Sequence, residues 1–150
     1  MIVNEVKASE TLVLRQAVLR PSFKVEACYF PGDEDKSTHH LGGFINDNLS
    51  GVVSIYKRSN EDVTHGVGYQ IRAMATCESI RGKGVGLKLL VAAEQMIGHL
   101  KADYIWANAR SSAIGFYVKA GYKVLGDEFH IDGVGPHFVV YKTDTIFKSY

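Results

Sequence analysis

The fold is best inferred from the stretch Ser79-Ile80-Arg81-Gly82-Lys83-Gly84-Val85-Gly86, which joins a predicted strand to a long amphipathic helix through three glycines. At such a junction several backbone N–H groups point at one place, and the positive end of the helix dipole lies beside them. Glycines let the backbone approach a ligand closely and adopt unusual φ angles. Arg81 and Lys83 add positive charge nearby. The stretch therefore predicts a phosphate-binding loop.

Two other glycine-rich phosphate loops do not fit this stretch. A P-loop has four residues between its first glycine and Gly-Lys-Ser/Thr, whereas Gly86 is followed by Leu87-Lys88-Leu89. A dinucleotide-binding fingerprint has the spacing G-x-G-x-x-G, whereas the glycines here stand at positions 82, 84 and 86. For the loop taken alone, a glycine-rich turn without a ligand remains an alternative.

The residues around the loop alternate between strand and helix patterns. Before the loop, the patterns predict a strand over 2–7, a helix over 10–20 with Ser9 as its N-cap and Pro21 at its end, and strands over 40–47, 51–57 and 68–75. After the loop, they predict a helix over 84–100, a strand over 103–107, a helix over 111–120 that Gly121 ends, and strands over 122–131 and 137–142. This order predicts one α/β domain with a mixed sheet over residues 1–150.

Composition narrows the classes of protein. The net charge is +1 over 150 residues, which gives no general reason to bind nucleic acid or an anionic membrane. The N-terminus has no signal-peptide pattern, and no apolar stretch is long enough to span a bilayer. Cys28 and Cys77 form neither a disulfide framework nor a metal-ligand spacing. We therefore expect a cytoplasmic protein with no metal and no nucleic-acid or membrane partner.

Two motifs resemble the signatures of the GNAT superfamily of N-acetyltransferases. Its coenzyme A pattern, Arg/Gln-x-x-Gly-x-Gly/Ala at the head of a helix, is met by Arg81, Gly84 and Gly86. The run from Asn108 to Tyr122 (NARSSAIGFYVKAGY) is similar to the second signature, an alanine, then Phe-Tyr, then a glycine and an aromatic residue. The motifs have the family's order and separation, and the resemblance covers residues 50–142 well.

The resemblance implies a fold, a co-substrate and a set of contacts. The fold is a mixed, mostly antiparallel central sheet, flanked by helices and splayed at the cofactor site, with a bulge in the strand before the loop. The co-substrate is acetyl-CoA, whose pantetheine arm pairs with Met74, Ala75 and Thr76. The pyrophosphate is bound by the amides of Arg81, Gly82, Lys83, Gly84, Val85 and Gly86, and the second motif adds Asn108, Arg110, Phe116 and Tyr117.

The chain departs from the family pattern at two places. The family often has Val-x-Pro-x-aromatic before the arginine, where this chain reads Thr76-Cys77-Glu78-Ser79-Ile80. The family's second motif usually has an asparagine where this chain has Arg110. These departures leave the glycine loop intact and bear on which side chains contact the cofactor.

The resemblance implies that Tyr117 is the general acid, since the thiolate of coenzyme A must be protonated as it leaves. A core tyrosine is the alternative for this residue. Glu78 and His137 are candidate bases, with a solvated or surface side chain as the alternative for each. His137 is expected near the strand end that carries Asn108, if the last strand runs antiparallel to the strand over 103–107. Cys77 as an acyl carrier is a minor alternative.

The residues that bind the acceptor amine are the least defined part of the predicted site. By resemblance, Arg20 and Tyr29 are candidate substrate contacts. The acidic turn Asp33-Glu34-Asp35 either attracts a cationic amine or is simply solvated. The predicted function is transfer of an acetyl group to a primary amine of a small molecule or peptide, by direct attack in a ternary complex. A non-catalytic acyl-CoA-binding or regulatory module is the alternative, and a homodimer is compatible with the family; the sequence leaves the acceptor, the base and the oligomeric state open.

Overall fold

The computed structural model describes residues 1–143, and the chain divides into two compact units. The first unit consists of Met1–Lys57 with Ile71–Met96, and the second of Arg58–Gln70 with the chain from Ile97 onward. Strand β4 (Gly68–Thr76) and helix α2 (Val85–His99) each contribute residues to both units. The prediction of a single domain over residues 1–150 stays a prediction.

The first unit contains an antiparallel meander. Strands β1 (Ile2–Val6), β2 (His39–Ile45) and β3 (Asn48–Lys57) pair in that order, and β4 follows β3 in the sheet. Helix α1 (Ala8–Leu14) begins after Lys7, whose backbone N–H donates to the Glu10 carboxylate at 2.6 Å. The prediction of Ser9 as the N-cap is therefore wrong. The N-cap is Lys7, because the Glu10 carboxylate accepts the Lys7 N–H and fixes the start of the helix there.

The helix predicted over residues 10–20 is not a uniform α-helix. After α1 the chain continues as a π-helix over Arg15–Leu19, and the Arg20 N–H donates to the Arg15 carbonyl five residues back at 3.1 Å. A short 3₁₀ helix, Val25–Cys28, follows in the segment that lacked a predicted element. Apolar side chains from α1 and the π-helix pack on β3 and β4, in a cluster of Leu14, Val18, Leu19, Leu49, Val52, Ala75 and Cys77.

The second unit is built on strands β5 (Tyr104–Arg110), β6 (Lys123–Ile131) and β7 (Gly135–Thr143), with helix α3 (Ile114–Lys119) after β5. Gly68–Gln70 of β4 pair in parallel with Tyr104–Trp106 of β5. The β5–β7 and β6–β7 pairs are antiparallel. The strand order is β1-β2-β3-β4-β5-β7-β6, which confirms the predicted α/β fold with a mixed, mostly antiparallel sheet. Within residues 1–143, no helix is both long and apolar enough to cross a membrane.

Candidate active site

The glycine loop has a backbone shape that only glycine adopts easily. Gly82 and Gly84 have φ angles of +82° and +80°, in the left-handed region that side chains with a Cβ disfavour. Apart from adjoining residues, no atom of residues 1–143 lies within 4 Å of the place where a Cβ would sit on either glycine. The glycines are therefore required by backbone conformation and not by crowding within the protein, and the space beside the loop is open.

Backbone donors collect where the loop enters α2. The amides of Arg81 and Lys83 donate within the loop, each at 3.3 Å, to the carbonyls of Glu78 and Ile80. The Lys88 N–H bonds to the Gly84 carbonyl at 3.1 Å, so the N–H groups of residues 85–87 precede the first bond of the helix. These donors stand at the positive end of a 15-residue helix. The loop can therefore bind an anion through backbone amides, with the exposed Arg81 and Lys83 side chains adding charge.

The strand before the loop contains an irregular residue. Ala73 has a φ of +55°, which is uncommon for a residue other than glycine and breaks the extended backbone of β4. The resemblance predicts a bulge in this strand. Met74, Ala75 and Thr76 come directly after Ala73, with Ala75 buried. The three residues expected to pair with a pantetheine arm thus follow the irregular residue and end the strand.

Tyr117 lies on α3 in the second unit and is 9% exposed. Its ring meets those of Phe116 and Tyr122 edge-on, at centroid distances of 5.2 and 5.4 Å. Burial raises the pKa of Tyr117 to about 12, because the ionised phenolate is poorly solvated there. The phenol is therefore neutral and carries its proton throughout the ordinary pH range.

Strands β5 and β7 bring His137 beside the predicted cofactor residues of β5. The antiparallel register pairs Arg110 with His137 and Asn108 with Val139, which confirms the expected direction of the last strand, although β7 begins at Gly135. His137 is 4% exposed, and its Nδ1 lies 2.7 Å from the Gly135 carbonyl oxygen. Because a carbonyl only accepts, Nδ1 carries a proton, and the neutral form of the ring has its lone pair on Nε2.

The other predicted site residues lie in the first unit. Glu78 is exposed in a 3₁₀ turn, and Cys77 is a half-buried free thiol just before it. Tyr29 is 43% exposed. The half-buried Arg20 places its guanidinium 5.0 Å from the centroid of the Phe23 ring and 5.1 Å from that of Phe30. The roles of these residues remain predictions.

A buried ion pair is a feature that the sequence analysis missed. Arg15 is fully buried, and its guanidinium donates to both Asp33 carboxylate oxygens, at 2.6 and 3.1 Å. It also donates to the Cys28 carbonyl and to Ser54 Oγ, both at 2.9 Å. The one sequence signal for this ion pair was the position of Arg15 in the apolar stripe of the first helix. A charge that faces the core needs a buried partner. Its Nε has no partner among the described residues.

Asp33 is the centre of this buried network. Besides Arg15, its carboxylate accepts the Tyr56 hydroxyl at 2.5 Å and the Phe30 N–H at 2.8 Å. Burial alone raises the pKa of Asp33, but the hydrogen bonds from these three residues outweigh it and bring the pKa below its usual value. The acidic turn is thus not a uniform solvated patch, because Asp33 is buried and only Glu34 and Asp35 are exposed.

His40 completes the network from β2. Its Nε2 lies 2.9 Å from the Asp33 carbonyl oxygen and its Nδ1 lies 2.7 Å from Ser54 Oγ. The carbonyl only accepts, so Nε2 carries a proton, and in the neutral form of the ring Nδ1 accepts from the Ser54 hydroxyl. His40 is buried, whereas the half-buried His39 contacts the exposed Glu5 at 2.8 Å.

A glycine loop leading into α2 on a sheet of this order points to a protein of the GNAT class. The chain belongs to that family: the model of the acetyltransferase (GNAT) domain matches residues 21–142. The chain is 34% identical over 141 residues to the uncharacterized N-acetyltransferase YitI of Bacillus subtilis (strain 168), with 94% of this chain and 95% of that protein covered. The resemblance is confirmed, and the chain is an acetyltransferase by family.

Two solved structures share the fold at low sequence identity. One is an aminoglycoside 6'-N-acetyltransferase complexed with coenzyme A, with a TM-score of 0.75, 15% identity, and coverage of 95% of this chain and 97% of that one. The other is Escherichia coli ElaA, with a TM-score of 0.75, 20% identity, and coverage of 95% and 99%. At these identities the likeness shows the architecture and leaves the acceptor open.

Proposed function

We propose that this protein transfers the acetyl group of acetyl-CoA to a primary amine, by direct attack of the bound amine on the thioester in a ternary complex. The glycine loop carries the proposal, because Gly82 and Gly84 hold left-handed backbone beside open space at the start of a long helix. Family membership supports the proposal that the anion bound there is the pyrophosphate of coenzyme A.

Each part of the cofactor has a proposed partner. The amides from Gly84 into the first turn of α2 bind the pyrophosphate, and the Arg81 and Lys83 side chains add charge-assisted bonds. The backbone of residues 74–76 pairs with the amides of the pantetheine arm, since both are peptide-like. In the second unit, we assign cofactor contacts to Asn108, Arg110 and Phe116.

The chemical step breaks the thioester C–S bond and forms an amide bond. The neutral amine attacks the carbonyl carbon, loses a proton from nitrogen, and expels the thiolate, which takes up a proton. Tyr117 is the proposed donor, because its raised pKa of about 12 keeps the phenol protonated. A thiolate has a pKa of about 8.5, so complete transfer from such a phenol is uphill by about 5 kcal/mol. Donation therefore accompanies C–S cleavage and does not precede it.

Two residues of different chemistry are candidates for the general base that takes the proton of the amine. His137 holds a free Nε2 lone pair, because Nδ1 donates to the Gly135 carbonyl. Glu78 is an exposed carboxylate beside the loop. Replacing each singly, as His137→Gln and Glu78→Gln, and measuring kcat against pH identifies the base by which variant loses the acidic limb of the profile.

The cofactor assignment is tested with two glycine variants that carry the same backbone strain. Gly84→Ala and Gly126→Ala both place a Cβ on left-handed backbone with open space around it, at φ of +80° and +71°. Only Gly84 lies in the loop. We expect Gly84→Ala to weaken coenzyme A binding by at least about tenfold in calorimetry, with Gly126→Ala close to wild type. Equal effects in the two variants contradict the assignment.

Catalysis is tested by thiol release from acetyl-CoA with a panel of amines. Tyr117→Phe removes one hydroxyl from an aromatic cluster, and Tyr122→Phe removes another from the same cluster as the control. General acid catalysis contributes about 10²–10⁴-fold, so we expect kcat to fall by about 10² or more in Tyr117→Phe, with coenzyme A binding kept. Tight coenzyme A binding without turnover of any amine supports a non-catalytic module in place of the enzyme.

A further inference from the structure

The irregular residue Ala73 lies in the part of β4 that we propose binds the thioester arm. With its φ of +55°, it comes directly before Met74, Ala75 and Thr76. For a residue with a Cβ, left-handed backbone is less populated than right-handed backbone by about five- to thirtyfold. Such a conformation persists where the surrounding structure fixes it. Contacts that hold the chain on both sides of Ala73 are therefore expected.

The structure contains such contacts before and after Ala73. After it, Ala75 is 1% exposed and belongs to the apolar cluster that packs α1 on β3 and β4. Before it, the Arg72 guanidinium carbon lies 4.9 Å from the centroid of the Phe30 ring and 5.7 Å from that of the Tyr56 ring. Both distances are typical of cation–π interactions. Ala73 therefore stands between a buried side chain and a side chain held against two rings.

The buried ion pair fixes both of these rings. The Asp33 carboxylate accepts the Phe30 N–H at 2.8 Å and the Tyr56 hydroxyl at 2.5 Å. Arg15 donates to the Tyr56 oxygen at 3.3 Å, and its guanidinium carbon lies 4.4 Å from the Phe30 centroid. Burial, together with the hydrogen bond to Asp33, raises the pKa of Tyr56 to about 12, so the hydroxyl stays a donor at ordinary pH. A chain of contacts thus leads from the ion pair to Arg72, all within the first unit.

We infer that the Arg15–Asp33 ion pair positions the thioester-binding end of β4, because it fixes the two rings that hold Arg72 beside the left-handed Ala73. This inference rests on the proposed function and adds positioning residues to it. A buried ion pair is a poor source of net stability compared with apolar packing. Holding one strained backbone conformation gives this pair a role that apolar side chains of similar size would not fill, since they would offer the Tyr56 hydroxyl no acceptor.

The size of the effect follows from the population of the left-handed conformation. If a fraction of the molecules keeps Ala73 left-handed, the apparent affinity for coenzyme A falls in proportion to that fraction. Loss of the contacts that hold Ala73 should therefore raise the Kd of coenzyme A by about five- to thirtyfold. The nucleotide half of coenzyme A, 3'-phospho-ADP, keeps the pyrophosphate and lacks the pantetheine arm. Its Kd should not change, because it needs the glycine loop and not residues 74–76.

The first test measures both ligands by calorimetry in a ring variant. In Phe30→Leu, we expect the Kd of coenzyme A to rise by about five- to thirtyfold and that of 3'-phospho-ADP to stay within about twofold. Phe23→Leu is the control, because it removes an exposed ring of the same segment that contacts Arg20, and both Kd values should stay close to wild type. Equal weakening of the two ligands in Phe30→Leu, or no weakening of either, overturns the inference.

The second test changes Ala73 itself. Glycine adopts left-handed backbone readily, so Ala73→Gly should bind coenzyme A much as wild type does and should restore most of the affinity lost in Phe30→Leu. Valine disfavours this conformation strongly, so Ala73→Val should weaken coenzyme A and leave 3'-phospho-ADP unchanged. If glycine at position 73 restores nothing in Phe30→Leu, the rings do not act through Ala73 and the inference is overturned.

The ion pair is tested with the same two ligands. Asp33→Asn should weaken coenzyme A selectively, and Ala73→Gly should restore the affinity. Tyr56→Phe removes one donor to Asp33 and keeps the ring, and it is expected to show a smaller loss of the same kind. It decides the outcome if Asp33→Asn melts well below wild type. A selective loss in Phe30→Leu, with none in the folded variant of this pair, overturns the role of the ion pair.

These binding measurements separate the inference from the proposed reaction, because none of them needs turnover. The expected pattern in a protein that acetylates no amine supports the positioning role and contradicts the reaction. Acetylation by a wild type whose variants lack the pattern supports the reaction and overturns the positioning role. If the wild type binds coenzyme A no more tightly than 3'-phospho-ADP, residues 74–76 add nothing to binding, and the inference is overturned.

Discussion

Removing the negative charge of Asp33 should destabilise the protein far more than a typical charge substitution. Asp33→Asn keeps the size and shape of the side chain and leaves Arg15 as an unpaired buried cation. Arg15 is fully buried, and the carboxylate is 2% exposed. Water therefore has little access to the guanidinium when its partner is lost.

The expected cost follows from the geometry of the pair. Breaking a buried ion pair by removing one partner costs about 3–5 kcal/mol, and here the carboxylate also loses strength as acceptor for Tyr56 and Phe30. In a chain of this size that cost lowers Tm by about 6–20 °C. Asp35→Asn is the control, because Asp35 is exposed two residues away, and its effect should stay within about 0.5 kcal/mol.

The assay is urea unfolding of the wild type, Asp33→Asn, Arg15→Met and the double variant. Each single variant leaves one buried charged group without its partner. The double variant should therefore lose less free energy of unfolding than the two single variants added together, by at least about 1 kcal/mol. If Asp33→Asn lowers the free energy of unfolding by less than about 1 kcal/mol, the conclusion that the buried Arg15–Asp33 ion pair stabilises the fold is refuted. Strict additivity refutes the idea that the two charges act together.

Three further predictions each concern one residue. The lowered pKa of Asp33 stabilises the fold above the unfolded value of about 3.9, and this stability is lost as pH falls toward the folded pKa; urea midpoints below pH 5 should therefore fall less in Asp33→Asn than in wild type. Burial raises the pKa of Tyr117 to about 12, so its ionisation should not affect stability below about pH 10 and should cost up to about 3 kcal/mol as pH rises to 12; ultraviolet titration of Tyr117→Phe should lack one late-ionising phenol. Gly68→Ala would place a methyl group against the buried Tyr104 ring, whose hydroxyl is fixed by the Asn60 N–H at 2.5 Å, and should cost about 1–3 kcal/mol in thermal melts.

Local sequence patterns were enough to predict the order of elements in this chain. Alternating apolar residues identified the first strand, a short apolar run identified β5, and helical spacing identified α2. Gly121 marked the end of the helix after β5. These signals arise within a few residues, so they are readable without tertiary structure. The π-helix over Arg15–Leu19 was not predictable in this way, because apolar spacing does not separate five-residue from four-residue hydrogen bonding.

The same contrast between local and long-range signals applies to the candidate site. The loop from Arg81 to Gly86 was readable because its glycines encode backbone conformation locally. The partners of Arg15 lie 13 to 41 residues away in sequence, and no local pattern pairs an arginine with an acid across such a distance. The residue type at position 73 gave no signal either, since alanine does not favour the left-handed φ that Ala73 adopts; a bulge in this strand was implied by the family resemblance alone.

The long-range contacts also change the electrostatic character of the acidic turn. In sequence, the turn Asp33-Glu34-Asp35 either attracts a cationic amine or is simply solvated. In the folded chain, Asp33 turns inward to Arg15, and its carboxylate also accepts from the Phe30 N–H and the Tyr56 hydroxyl. A carboxylate committed to these buried donors is not available to a ligand, so only the exposed Glu34 and Asp35 keep the acidic character of the turn. It follows that Asp33→Asn should disturb the Phe30 and Tyr56 rings even where the protein stays folded, because the amide that replaces the carboxylate is a weaker acceptor for both.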